Sequence, residues 1–268
     1  MLKDITLGQY LPGTSPVHKL DPRVKLVLTV EFIVMLFCAK NMLAIGVGAL
    51  FCIISFALSG VPASLMVKSL KPIVPLVLIT SVLNLFFVRT GDVLWKWKVL
   101  QITTEGRDTA LFMIARIVLL IIGSSLLTYT TSPIDLTDAI ENLLSPLKKL
   151  KVPVHELAMM MTIALRFIPT LIEETDKIMN AQKARGSELD TGSFADKVRG
   201  MVPIFIPLFV SSFRRAEELA TAMECRCYHG GEGRTRMKQL HTTYRDLIAA
   251  VYTTLFFGGI IALNVLVK

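Results

Sequence analysis

Two arginines of this chain stand between small residues: Arg185 in Ala184-Arg185-Gly186 and Arg226 in Cys225-Arg226-Cys227. They are 41 residues apart, and each closes a stretch that turns from apolar to polar. A single arginine at a helix end most simply offsets the helix dipole, an effect of about 0.3–1 kcal/mol. The repetition asks for more. Small neighbours let a groove close around the guanidinium, and a desolvated planar fork of donors can bond carboxylates and carbonyls bidentately. That chemistry is recognition. Signs of catalysis are missing, since no G-x-x-x-x-G-K-[ST], H-E-x-x-H or G-x-S-x-G pattern occurs. The acidic set Glu173, Glu174 and Asp176, with His155-Glu156 upstream, reads as a solvated face beside Lys177. Cys225, Cys227 and His229 make a C-x-C-x-H cluster that lacks the fourth ligand of a closed zinc site.

The elements that carry these arginines are two long helices of one design. The first starts at Val152-Pro153, is apolar from Leu157 to Ile168 with Met159, Met160 and Met161 in a row, and turns polar from Glu173. Pro169 should kink it, and Arg185-Gly186 supplies a glycine stop. The second is apolar from Met201 to Phe213, through Ile204, Phe205, Leu208 and Phe209, and polar from Arg214 to Cys227. Gly230-Gly231 breaks it. A shorter amphipathic helix precedes both, with Ser132 as N-cap and Pro133 at its first position. The apolar first halves suit an adaptable docking surface, or equally the packing of these helices on one another.

The rest of the chain is built for a bilayer. Of 268 residues 53% are apolar and 19% charged, and the apolar ones are clustered. Runs at Leu26–Ala39, Met42–Leu58, Pro72–Val88, Thr109–Thr128 and Leu247–Val267 predict five spans, the first two near the lower length limit. The fold class expected is an all-α integral membrane protein: four spans in 1–128, a coupling module of three amphipathic helices in 129–245, and a last span in 246–268. A net charge of +8 does not imply nucleic acid, because no basic-aromatic recognition module accompanies it. The basic residues follow the loops instead. With the N-terminus and 129–245 on the cytoplasmic side, 22 of the 29 lie inside and six outside, Arg116 being within a span. Glu31 and Arg116, the ionisable groups inside spans, suggest a pair between helices. A self-contained permease or channel, the rival reading, needs a midplane cluster or a repeat of the spans, and neither is evident.

These motifs resemble those of a known family. Ala184-Arg185-Gly186 and Cys225-Arg226-Cys227 resemble the paired x-Arg-x motifs of the transmembrane scaffold component of energy-coupling-factor (ECF) transporters. His18-Lys19-Leu20-Asp21-Pro22-Arg23, Thr131-Ser132-Pro133 and Ala164-Leu165-Arg166-Phe167-Ile168-Pro169 agree in order and spacing over nearly the whole chain. The resemblance implies a multi-pass protein of the bacterial cell membrane that joins two cytoplasmic ABC-type ATPases, a heterodimer, to one substrate-binding membrane subunit for ATP-driven uptake of vitamins or other micronutrients. Whether that subunit is exchangeable is left open. It implies that ATP and Mg belong to the ATPases, with no cofactor in this chain, and that Arg185 and Arg226 each enter a groove of one ATPase. Met159, Met160, Met161, Ile204, Phe205, Leu208 and Phe209 are the residues expected to meet the substrate-binding subunit. The cysteines around Arg226 depart from the commoner Ala-Arg-Gly.

Overall fold

A computed structural model describes residues 10–88, 90–97, 100–186, 194–231 and 239–266. Helix α1 (Pro22–Cys38) begins where Asp21 caps it, its carboxylate accepting the Arg23 amide at 2.9 Å, with Pro22 in the first turn. Helix α2 (Met42–Ser59) stops at Gly60, whose left-handed φ of 69° a side chain would strain. Helix α3 (Ala63–Leu70) then passes through one 3-10 turn, Lys71–Ile73, into α4 (Val74–Phe87). The expected connector and third span are thus one rod, Ala63–Phe87, of 25 residues. Pro72 and Pro75, which lack amide hydrogens, fall in the 3-10 turn and in the first turn of α4, where the missing donors are tolerated.

The stretch after α4, expected to be a polar loop, carries an antiparallel hairpin. Strand β1 (Val93–Trp97) pairs with β2 (Leu100–Thr103), Val93 opposite Thr103 and Trp97 opposite Leu100. Aromatic and branched residues favour this pairing despite the charges between them. Helix α5 (Thr104–Thr130) follows at once, Thr103 Oγ1 accepting the Gly106 amide at 3.0 Å. Helix α6 (Pro133–Leu144) is capped by Ser132 as expected, the Asp135 amide donating to Ser132 Oγ at 3.1 Å. A 3-10 stretch, Ser145–Leu150, leads to the long helices α7 (Val154–Ala184) and α8 (Phe194–Glu224), and α9 (Tyr244–Leu266) ends the described chain. Helix α7 runs unbroken through Pro169.

Among the described residues, five helical segments are long and apolar enough to cross a membrane: α2, the α3–α4 rod, α5, α7 and α9. Helix α1, the first expected span, has 17 residues, at the lower limit for crossing. Helix α7 joins the set through its apolar first half.

The chain divides into two compact units within α6, between Ala139 and Ile140. One holds the described residues of Gly8–Ala139 and Gln239–Lys268, with α1, α2, α5 and α9 around a core of Phe32, Met35, Leu36, Cys52, Phe56, Leu119, Ile122 and Ile260. Large apolar side chains such as Phe37, Ile53, Ile79 and Leu255 face outward, as a lipid-facing surface requires. Glu31 and Arg116 do not form the expected pair. An Arg116 amino group donates to the Ala39 carbonyl and its guanidinium lies 4.5 Å from the Phe112 ring centre, whereas Glu31 meets Thr254 of α9. Eight residues of α1, about 12 Å of helix, separate those two levels.

The stretch around Asp21 is a knot of buried charge. Asp246 accepts the Asp21 amide at 2.8 Å and the Thr243 amide at 2.6 Å, so one carboxylate closes the starts of both α1 and α9. Arg23 grips Asp21 at 2.7 Å and donates to the Leu240 carbonyl, while the Lys25 ammonium donates to the carbonyls of Thr130 and His18. Burial of the Asp21 carboxyl works to raise its pKa, but the hydrogen bonds and charge of Arg23, with His241, win and hold it below the usual carboxylate value. A depressed carboxylate contributes stability that is present above its unfolded pKa and lost as the pH falls through the folded one. Asp21→Asn is expected to cost about 1 kcal/mol near neutrality and to flatten the fall of melting temperature below about pH 4, read by thermal unfolding across pH.

Candidate docking site on the paired long helices

The second unit comprises the described residues of Ile140–Lys238, and α7 and α8 dominate it. Both arginines stand at the same place in the same kind of helix end. Arg185 caps α7, and the Gly186 amide then donates to the Lys183 carbonyl at 3.0 Å with φ at 84°. After α8 the Cys227 amide donates to the Glu224 carbonyl at 2.8 Å and the Tyr228 amide to the Met223 carbonyl at 3.1 Å, Cys227 having φ of 55°. This is a Schellman end with Arg226 just before its left-handed residue. The third residue of x-Arg-x is therefore where the backbone turns left-handed, which glycine does freely and cysteine does at a cost. Cys227→Gly is expected to raise stability by about 1 kcal/mol, and Gly186→Ala to lower it by a similar amount, in thermal unfolding.

Ala184, Arg185, Gly186, Cys225, Arg226 and Cys227 are all exposed. Neither guanidinium has a hydrogen bond or ion pair among the described residues. Among the described residues both are therefore left for a partner.

The two ends are not neighbours, because α7 and α8 run antiparallel. Gln182 donates to the Pro203 carbonyl at 3.3 Å, and Ser211 donates to Glu174 at 2.7 Å. At the far end Gly231 lies on the imidazole of His155, a β-carbon there standing 2.4 Å from Cδ2. Each step forward on α7 is a step back on α8, so Arg226 falls near the level of Met159 and Met160. Twenty-six residues separate that level from Arg185, about 40 Å of helix.

This register sets each apolar half beside the other helix's polar half. Met159, Met160 and Met161 lie toward the Arg226 end, and Ile204, Phe205, Leu208 and Phe209 lie toward the Arg185 end. Met160, Met161, Phe205 and Phe209 are exposed, at 55%, 44%, 61% and 65%, Met159 and Leu208 are half-buried, and Ile204 is buried. The unit thus carries two apolar patches, each next to one motif arginine.

Between the patches Glu174 forms an ion pair with Arg215 and accepts the Ser211 hydroxyl. Glu174 stands 11 residues before Arg185, and Arg215 stands 11 before Arg226. The ion pair therefore joins corresponding positions of the two helices, halfway along the pair. The sequence held this signal in the shared spacing, but only the antiparallel pairing gives it meaning. His155 donates through Nδ1 to Glu141 at 3.1 Å. His155 and Glu174 stand about 28 Å apart along α7 and have separate partners, so the acidic set and His155 form no common site. Among the described residues no group of three or more His, Cys, Asp or Glu is placed to hold a metal ion. Glu232 and the rest of 232–238 lie outside the described residues.

Comparison with known proteins places the motifs in a family. The family model described as cobalt transport protein matches residues 13–237. The energy-coupling factor transporter transmembrane protein of Clostridium kluyveri is 57% identical over 252 residues, 94% of this chain and 93% of that protein. The protein of the same name from Ruminiclostridium cellulolyticum is 51% identical over 264 residues, 98% of each chain. That of Bacillus subtilis is 48% identical over 246 residues, 92% of this chain and 93% of its relative.

Proposed function

This chain belongs to the family of transmembrane components of energy-coupling-factor transporters, and on that premise we propose that it is the scaffold linking two cytoplasmic ABC-type ATPase subunits to one substrate-binding membrane subunit. The observation that carries the proposal is the pair of arginines, unpaired among the described residues, each just before a left-handed residue at a helix end and at opposite ends of one antiparallel rod. Two ATPase subunits offering one groove each require two arms well apart, and a separation of about 40 Å suits two separate protein surfaces. The exposed apolar residues Met160, Met161, Phe205 and Phe209 offer the surface for the substrate-binding subunit. ATP and Mg are held by the ATPases, and the cargo, a vitamin or other micronutrient, by the third subunit.

The rod lies along the cytoplasmic face rather than across the bilayer. If α7 crossed upright, its antiparallel partner would carry Arg214, Arg215, Glu217 and Glu218 to the level of residues 167–171 of α7. Charges at such depth cost several kcal/mol each. Laid flat, the rod puts its apolar patches against the membrane or a membrane partner and its charges in water. The excess of basic residues in 129–245 supports the same side for this segment and the N-terminus.

The test is assembly. The chain purified alone is expected to bind neither nucleotide nor cargo. Co-expressed with its partners it should purify with two ATPase subunits and one substrate-binding subunit. Cargo binding by the isolated chain, measured by calorimetry, would point instead to a self-contained permease.

A further inference from the structure

The first unit contains a cavity of ≈ 370 Å³ bounded by α1, α2, α5 and α9 and by Pro16, Val17 and Leu20 of the segment before α1. It lies at the end of the bundle where α1 and α9 begin and where α2 and α5 finish. Its walls are overwhelmingly apolar. The aromatic rings of Phe32, Phe51 and Tyr252 close its inner end, stacked with centroids 5.2 and 5.1 Å apart. Its mouth has another character. The exposed Arg245 lines it there with Leu58 and Ile248, which are 52% and 51% exposed, whereas the Lys25 ammonium at the same end of the bundle is buried.

Apolar depth beneath a cationic rim matches the two ends of an anionic amphiphile. The distance from Arg245 to Thr253 along α9 is eight residues, about 12 Å, enough for much of one extended acyl chain. The acids near the rim are Asp21, Asp135 and Asp246, and all are engaged, Asp135 accepting the Ser132 hydroxyl at 2.8 Å. Asp21 pairs with Arg23, and Asp246 accepts two backbone amides. Arg245 has no hydrogen bond or ion pair among the described residues, and Lys25 spends two of its three ammonium hydrogens on the Thr130 and His18 carbonyls. The full Arg245 guanidinium is therefore available at the mouth, while Lys25 stays tied to the carbonyls within the bundle.

We propose that this cavity is a binding site for an anionic phospholipid of the adjoining leaflet, one acyl chain inside against Phe51 and Tyr252 and the phosphate at Arg245. Occupied, it fills the space between the four helices that meet at the Asp21–Asp246 knot. Such a lipid would stiffen the start of α9 against the end of α5.

The assembled transporter, in vesicles of equal parts phosphatidylglycerol and phosphatidylcholine, tests this with a photoreactive diazirine at the end of one acyl chain of either lipid. The phosphatidylglycerol probe is expected to label peptides holding Phe51, Cys52 and Tyr252. Arg245→Gln should reduce that labelling about five-fold, the effect of one basic side chain near an anionic membrane surface. Ala249→Trp, which fills the cavity from its wall, should abolish it while leaving outward-facing residues such as Leu255 labelled. Equal labelling by the phosphatidylcholine probe, or indifference to both substitutions, overturns the proposal. Labelling of the lone chain that vanishes on assembly with the partner subunits overturns it too, because the cavity then belongs to a partner segment.

Discussion

Replacing Arg185 and Arg226 together by glutamate is expected to leave the chain folded in the membrane and stripped of both ATPase subunits. Folding should survive because both side chains are exposed and bond nothing among the described residues, and substitutions at such sites usually stay within about 0.5 kcal/mol. Docking should not survive. A guanidinium desolvated in a partner's groove and bonded there loses about 2–5 kcal/mol when truncated, and charge reversal adds repulsion. Each site then loses about 30-fold to several-thousand-fold in affinity. The two sites stand on one rod, so the second contact forms at high effective concentration once the first is made. Single replacements should therefore give weakened complexes, Arg185→Glu releasing one ATPase more readily and Arg226→Glu the other. Co-purification with both subunits, scored beside ATP-driven uptake, reads this directly. A double variant that assembles normally and transports cargo at the ordinary rate would sink the docking role.

Much of this was legible from residue types alone. The x-Arg-x motifs, the Ser132-Pro133 helix start and the glycine stop at Gly186 follow from local chemistry, and the structure has all of them where the residues put them. The hairpin at Val93–Thr103 was hidden because Lys96 and Lys98 interrupt its aromatic and branched residues and Asp92, Glu105 and Arg107 flank it, so the stretch looks like a polar loop. Lys25 read as one more basic residue on the cytoplasmic side, although it is buried and ties α1 to the end of α5. Asp246 gave no signal, since a lone acid in the first turn of a helix is ordinary. The antiparallel pairing of α7 and α8 was the largest omission. Helical periodicity says which face of a helix is apolar, and it is silent on whether the neighbour runs up or down. Two helices of one design suggest side-by-side arms, and the contacts place their arginines at opposite ends instead.

That pairing gives the Glu174–Arg215 ion pair its weight. It joins corresponding positions of the two helices, so on the proposed docking a force applied by one ATPase at Arg185 and by the other at Arg226 acts on two helices tied together there. The Glu174 and Arg215 side chains remain 23% and 34% exposed and solvent screens the pair, so its loss should cost the isolated fold about 1–2 kcal/mol. Transmission should suffer more. With Arg215→Ala the helices are free to slide, the exposed arginines still dock, and ATP hydrolysis continues while uptake falls about ten-fold, the size of a coupling free energy of about 1.4 kcal/mol. Glu174→Ala should do the same and should also leave the Ser211 hydroxyl without its acceptor. The discriminating variant is the exchange, Glu174→Arg with Arg215→Glu, which restores the attraction in reverse. Uptake per ATP hydrolysed is expected to recover most of its loss in the exchanged protein. If the exchange transports no better than either single variant, the ion pair merely helps α7 and α8 to pack, and the two helices must be tied together by the apolar contacts around it.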